Sequence, residues 1–120
     1  MQNRIEELHK ELENCEISKD VLKDIDCINE MILKNIYDKD IVINIEDKYS
    51  VETNFLLRFD ASSKMGFEDN YDDPALQVLI NLRDRLYLIA VYRKLKKEGI
   101  EIPQDFANRG YLELLELVQK

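Results

Sequence analysis

Residues 86–92 read Leu-Tyr-Leu-Ile-Ala-Val-Tyr, an unbroken apolar run. A helix that is apolar on all sides belongs in the interior of a protein, so this run predicts the central buried element. The helix is predicted to begin at Pro74, with Asp73 as its N-cap, and to end near Glu98, where Gly99 suits the position after the last turn. At 1.5 Å per residue such a helix is ~37 Å long, about the diameter of a compact domain of this size.

The predicted core is built on this helix. Leu86, Ile89, Ala90 and Leu95 are expected to be buried. Arg83, Asp84 and Arg85 interrupt the apolar pattern one turn earlier. Because a buried charge needs a partner, the favoured interpretation is that the helix is exposed there, or that one arginine pairs with a carboxylate from the acidic half of the chain. The alternative is a polar functional pocket.

Two amphipathic helices are predicted ahead of it. The first runs from about Gln2 to Cys15, with a narrow apolar seam of Ile5, Leu8, Leu12 and Cys15. The second runs from about Lys19 to Tyr37. The two apolar stripes would face opposite sides of one straight rod, so a break near residues 16–18 is favoured over a single long helix, with Ser18 as the second N-cap.

The period of the pattern changes from 3.6 to 2 after residue 40. Ile41, Ile43 and Ile45 alternate with other residues, and the alternation resumes from Tyr49 to Phe59. This pattern predicts a β-hairpin packed on the helices through Tyr49, Val51, Phe55 and Leu57. A last helical region is predicted from Gln104 to Val118, interrupted at Gly110. The predicted fold is therefore α+β and mostly helical, ordered ααββαα, in a single domain spanning residues 1–120.

Charge is unevenly distributed along the 120 residues. The net charge is −8; residues 1–73 carry nine Lys/Arg and nineteen Asp/Glu, whereas residues 74–120 carry eight and six. Such acidity disfavours direct nucleic-acid binding and an anionic membrane surface. With no signal peptide at Met1, a cytoplasmic protein is expected. Thirteen isoleucines against four alanines suggest AT-rich codons, as in low-GC bacteria or their phages.

No catalytic, metal or cofactor site is predicted. The single histidine, His9, is interpreted as solvated, and Cys15 and Cys27 as free thiols without zinc-ligand spacing. The acids of residues 68–73 lack the order of a calcium-binding EF-hand loop, and no Gly-rich phosphate loop is present. We therefore do not expect an enzyme.

One loop has the composition of a protein interface. Phe67 and Tyr71 stand among Glu68, Asp69 and Asp72. Aromatic anchors ringed by charge are typical of binding hot spots. The alternatives are that this acidic loop is only solvated, or that both rings fold back to cover the core. The sequence thus favours a small acidic inhibitor, of the immunity-protein, antitoxin or anti-defence kind, that covers a basic site on a partner protein. The alternative is a structural or assembly protein that self-associates, for example as a homodimer, through the first helix and the hairpin edge.

Overall fold

The computed structural model describes residues 3–56, 74–102, 106 and 111–119. These residues form six α-helices, with one 3-10 turn at Glu16–Ser18: α1 (Asn3–Glu13), α2 (Lys19–Lys34), α3 (Lys39–Lys48), α4 (Ser50–Leu56), α5 (Pro74–Lys97) and α6 (Tyr111–Gln119). The described ranges contain no β-strand. The predicted α+β class and its hairpin are therefore wrong, and this part of the chain is all-helical.

Helix α5 is the central element, as predicted. All seven residues from Leu86 to Tyr92 are buried, and so is Leu95. Its end has the hydrogen bonds of a Schellman motif: the Gly99 amide donates to the Lys96 carbonyl and the Ile100 amide to that of Leu95. Gly99 permits this because its φ of 74° lies in the left-handed region. A 24-residue helix spans ~36 Å, which matches the 38 Å long axis of the molecule.

Helix α2 packs along α5. Its buried stripe recurs at helical spacing and comprises Val21, Leu22, Ile25, Ile28 and Met31. The predicted break before it is confirmed, because residues 16–18 form the 3-10 turn. Ser18 stands at the N-cap position without a capping hydrogen bond; its hydroxyl donates instead to the backbone oxygen of Ala90, at 2.9 Å. The break is thus anchored on α5.

Helix α1 docks inside the molecule. Leu8 and Leu12 of its predicted seam are fully buried, and α1 packs mainly on α6. Leu114, Leu115 and Val118 form the buried stripe of α6. The seam is therefore used within the chain. Gly110, where an interruption was predicted, lies outside the described residues.

Residues 39–56 form two helices in place of the predicted hairpin. Val42, Ile45 and Tyr49 are buried at the 3- and 4-residue spacing of one helix face, whereas Ile43, which the hairpin would bury beside Ile45, is 41% exposed. Backbone bonds run from the Tyr49 amide to Ile45 and from the Thr53 amide to Tyr49, so the helical pattern continues from α3 to α4. A two-stranded hairpin is marginally stable alone, while a helix satisfies its own backbone and buries one stripe.

The segment between α2 and α3 contains the C-cap of α2, Asn35, and the N-cap of α3, Asp38. Asn35 is left-handed, with a φ of 55°, and the next amide, of Ile36, donates back to the Met31 carbonyl. The Asp38 carboxylate then accepts from the amides of Asp40 and Ile41, at 3.1 and 3.3 Å. Asp38 is therefore a true N-cap, and the chain turns sharply between the two helices.

Within the described ranges, no helix is both long and apolar enough to cross a membrane.

Candidate functional site

The five predicted partner-binding residues, Phe67, Glu68, Asp69, Tyr71 and Asp72, lie outside the described residues. So does Asp73, the predicted N-cap, although α5 begins at Pro74 as expected. The candidate surface is therefore sought elsewhere on the described part of the chain.

The turn between α2 and α3 carries an exposed apolar surface. Leu33 is 86% exposed, Ile36 53%, and Tyr37 and Ile43 41% each. These are four of the seven large hydrophobic side chains that are exposed in the described ranges, and they fall within residues 33–43. We call these four residues the α2–α3 corner. A concentration of exposed apolar groups marks an interaction site more often than scattered ones do.

The backbone fixes the shape of this corner. The left-handed Asn35 and the Asp38 cap hold Ile36 and Tyr37 outside both helices. The Ile36 amide is held by the Met31 carbonyl at 3.0 Å. An apolar surface on a hydrogen-bonded turn loses little entropy when a partner covers it, which favours binding.

Exposed carboxylates outnumber exposed lysines along the stretch of chain that carries the corner. The carboxylates are Glu30, Asp38, Asp40, Glu46 and Asp47, and the lysines are Lys34 and Lys39. Lys34 lies 2.6 Å from Glu30, and this hydrogen bond lowers the pKa of the Glu30 carboxyl, which stays ionised at neutral pH. The corner therefore combines exposed apolar side chains with a net negative stretch of chain, the chemistry that was predicted for the loop at residues 67–72.

Sequence reasoning missed this corner because it extended the second helix to Tyr37, whereas the helix ends at Lys34. The signal was nonetheless present. Asn35 is suited to the left-handed position after a helix, and Asp38 is a strong N-cap residue. Together they mark an end and a beginning only three residues apart.

His9 is not the solvated side chain that was predicted. Its Nδ1 lies 2.9 Å from the hydroxyl of buried Tyr87, and its Nε2 lies 3.7 Å from an Asp26 carboxylate oxygen. The arrangement links α1 to α2 and α5. Burial raises the pKa of Tyr87 to about 12, and the Asp26 carboxylate adds to the rise against the opposing Arg83. A buried hydroxyl of this pKa is suited to holding helices together rather than to attacking a substrate.

The charged interruption of α5 is largely internal. Asp84 is 2% exposed, and the Arg83 guanidinium donates to its Oδ1 from Nε and Nη2, at 3.3 and 3.2 Å. The predicted exposure of the helix is therefore wrong at Asp84, and the partner that Arg83 contacts here is the adjacent residue rather than a carboxylate of the acidic half. The ion pair reduces the penalty of burying Asp84.

A second polar network joins α2, α4 and α5 around Tyr49. The Tyr49 hydroxyl donates to Asp24, and the Arg93 guanidinium lies 5.3 Å from the centroid of the Tyr49 ring. Arg93 also donates two hydrogen bonds to the Glu52 carboxylate, at 2.7 and 2.8 Å, and these raise the pKa of the guanidinium. This network fixes α4 against α5.

Metal-binding and thiol chemistry have little support in the described ranges. No cluster of three or more His, Cys, Asp or Glu side chains there could hold a metal ion. Cys15 and Cys27 are free thiols, as predicted. Burial, and after it the Asp24 carboxylate, raises the pKa of the Cys27 thiol, which makes it less reactive.

Comparison of the chain with known protein families, with curated proteins and with solved structures finds no match.

Proposed function

We propose that this chain is a small acidic protein-binding module that inhibits a partner by covering a basic site on it. The observation that carries the proposal is the α2–α3 corner, where exposed apolar side chains lie in a stretch of chain whose exposed carboxylates outnumber its lysines. Apolar and aromatic anchors supply most of the binding energy in such interfaces, while the charged rim supplies steering and register.

The proposed partner surface is rich in arginine and lysine, as in a nuclease or another nucleic-acid-binding cleft. A standard interface buries ~800 Å² on each partner. That is about a tenth of the 7491 Å² surface of this molecule, so the corner and its acidic neighbours can provide the centre of such an interface. The loop with Phe67 and Tyr71 remains a proposed second part of the binding surface. The proposed compartment is the cytoplasm, which the two free thiols support.

The proposal is tested by recovering partners of the tagged protein from its own host and measuring their affinity. Leu33→Ser combined with Tyr37→Ala should weaken binding by at least about tenfold, since each removes a hot-spot anchor. Val78→Ser, at a 39% exposed site on α5, is the matched control and should bind normally. Affinity should also fall with added salt, because ions screen exposed charges over ~10 Å at 0.1 M.

Two results would reject this function. One is a specific partner whose affinity is unchanged by the double substitution and by salt. The other is a partner with an acidic contact surface. In the first case a charge-removing variant, Glu68/Asp69/Asp72→Ala, tests whether the loop acts without the corner.

Self-association is the second candidate function. The structure changes which surface could carry it. Leu8 and Leu12 of the α1 seam are buried within the chain, and α3 and α4 replace the hairpin edge, so the two predicted surfaces give little support to self-association. Two copies could instead pair through their corners, but a twofold interface would bring two net negative stretches of chain together. Light scattering distinguishes the two candidates: a stable dimer that Leu33→Ser dissociates favours assembly.

A further inference from the structure

A groove lies between α4 and the last two turns of α5, away from the α2–α3 corner in sequence. Its volume is about 870 Å³, and Val51, Phe55, Tyr92, Arg93, Lys96 and Lys97 are among its lining residues. Small-molecule sites typically occupy ~300–1,000 Å³. The groove is therefore large enough for a ligand of about a dozen heavy atoms or more, and the proposed function does not use it.

The floor of the groove is apolar. The Phe55 and Tyr92 rings pack with their centroids 5.0 Å apart, and Val51 beside them is 80% exposed. Most of the lining surface is apolar. Covering the Val51 side chain and the ring faces with an aliphatic or aryl group would remove apolar surface from water, which is favourable.

The rim of the groove is cationic, in a chain whose net charge is −8. Arg93 is neutralised by its two bonds to Glu52. The Lys96 ammonium lies 5.7 Å from the centroid of the Tyr92 ring, and Lys97 is exposed beside it. Lys19 and, more weakly, Lys97 lower the pKa of the Glu16 carboxyl, so Glu16 offsets part of the Lys97 charge. Two exposed lysines next to an apolar floor are complementary to a ligand with an anionic head and an apolar body.

We propose that this groove binds a small amphipathic carboxylate, with the carboxylate at Lys96 and Lys97 and the apolar body on Val51, Phe55 and Tyr92. The network of Tyr49, Arg93 and Glu52 holds α4 in place, so the floor and the rim are positioned before a ligand arrives. A carboxylate fits better than a neutral lipid because only an anion engages both lysines.

Sodium decanoate is the probe, titrated below its micelle concentration against the full-length protein, with displacement of anilinonaphthalene sulfonate fluorescence as the readout. A ligand of this size should bind with a Kd on the order of 0.1–1 mM. Decanol and decyltrimethylammonium, which carry the same chain without the negative charge, should bind at least about fivefold more weakly.

Substitutions test the two halves of the site separately. Lys96→Gln with Lys97→Gln should weaken decanoate binding by about five- to thirtyfold. Lys10→Gln with Lys39→Gln makes the same change in net charge at exposed sites of α1 and α3, and should leave binding unchanged. Val51→Glu places an anion on the floor at a side chain that packing does not need, and should abolish measurable binding while the thermal unfolding midpoint stays within a few degrees.

The proposal is overturned if decanoate does not bind below about 5 mM, well above the expected range, or if decanol binds as tightly as decanoate. It is equally overturned if the Lys96/Lys97 variant and its matched control bind alike. A glutamate- and phenylalanine-containing peptide that displaces the dye when decanoate does not would place a peptide in the groove instead. Light scattering that shows a dimer dissociated by Val51→Glu would place a second copy there.

Discussion

Single buried polar groups connect the helices of this molecule. Ser18 shows the principle, because its hydroxyl reaches across from the 3-10 turn to the Ala90 carbonyl of α5. A serine at a helix start usually caps its own helix, and that was the prediction. In this structure the Ser18 hydroxyl donates to a backbone carbonyl on another helix and so forms a tertiary contact.

Ser18→Ala is expected to destabilise the fold by about 1–2 kcal/mol, since it removes a buried hydrogen bond. The measurement is the free energy of unfolding from urea melts followed by circular dichroism. Asn44→Ala, at an exposed position of α3, is the control and should change stability by less than ~0.5 kcal/mol. Equal effects for the two substitutions would mean that the Ser18 bond contributes nothing.

Because of Tyr87, the free energy of unfolding should fall as the pH rises above ~10. Burial raises its pKa to about 12, whereas a tyrosine in an unfolded chain ionises near ~10. The neutral hydroxyl therefore contributes stability that is fully present below pH ~10 and is lost as the pH rises through about 12. Burial, and next the hydrogen bond to Asp24, also raises the pKa of Tyr49.

Urea melts at pH 9 and pH 11 test this. The wild type should lose about 1 kcal/mol more stability between the two pH values than Tyr87→Phe does, because the variant has one fewer hydroxyl to ionise on unfolding. A Tyr37→Phe variant, at a half-exposed tyrosine, should follow the wild type. If the Tyr87→Phe and wild-type losses are the same, Tyr87 ionises as readily in the folded chain as in the unfolded one.

At the scale of elements, residues 39–56 decide the fold class. Residues 41–45 are apolar at four of five positions, so they satisfy both the strand and the helix period. β-branched residues are also enriched in strands, because they pack well on a pleated, half-buried surface. The helix forms because Val42, Ile45 and Tyr49 are buried in the core on one of its faces. Asp38 also caps its first turn.

A pair of isoleucines distinguishes the two structures. In the helix Ile45 is buried and Ile43 is 41% exposed, whereas in the hairpin both would share the buried face. Ile45→Ala should therefore cost about 2–4 kcal/mol and Ile43→Ala less than ~1 kcal/mol in urea melts. Comparable large losses for both would restore the hairpin and contradict α3.

At the scale of the whole molecule, one continuous core extends from α1 through α2 and α5 to α6. Leu12 and Leu86 stand on different helices, and both are fully buried. Because both residues belong to this one core, the protein should unfold in one cooperative step.

Leu12→Ala and Leu86→Ala are each expected to cost about 2–5 kcal/mol and to leave a single transition. Val78→Ala, at a half-exposed site on α5, should cost less than ~1 kcal/mol. Coincident melts by circular dichroism and tyrosine fluorescence would confirm the single step. A separate early transition for Leu12→Ala would show that α1 and α6 unfold on their own, and a loss under ~1 kcal/mol for Leu86→Ala would make α5 peripheral.

The sequence alone determined the elements whose signals are local and unambiguous. The run at 86–92 is apolar on every side, so it belonged inside in any arrangement, and Pro74 and Gly99 marked the two ends of its helix. The phase change between the first two stripes likewise favoured a break near residues 16–18 over one long helix, and the 3-10 turn there confirms it. These inferences needed only the period of a helix and the chemistry of its ends.

Tertiary structure decided the rest. Residues 41–45 fit two periods equally, and only contact with the core selected the helix, because burial of one face stabilises it more than local propensity opposes it. The partners of Ser18 and His9 lie 72 and 78 residues away in sequence, so no local pattern could reveal them. The α2–α3 corner and the groove beside Lys96 exist for the same reason: exposure is set by which surfaces other helices leave uncovered, and that is a property of the packed molecule.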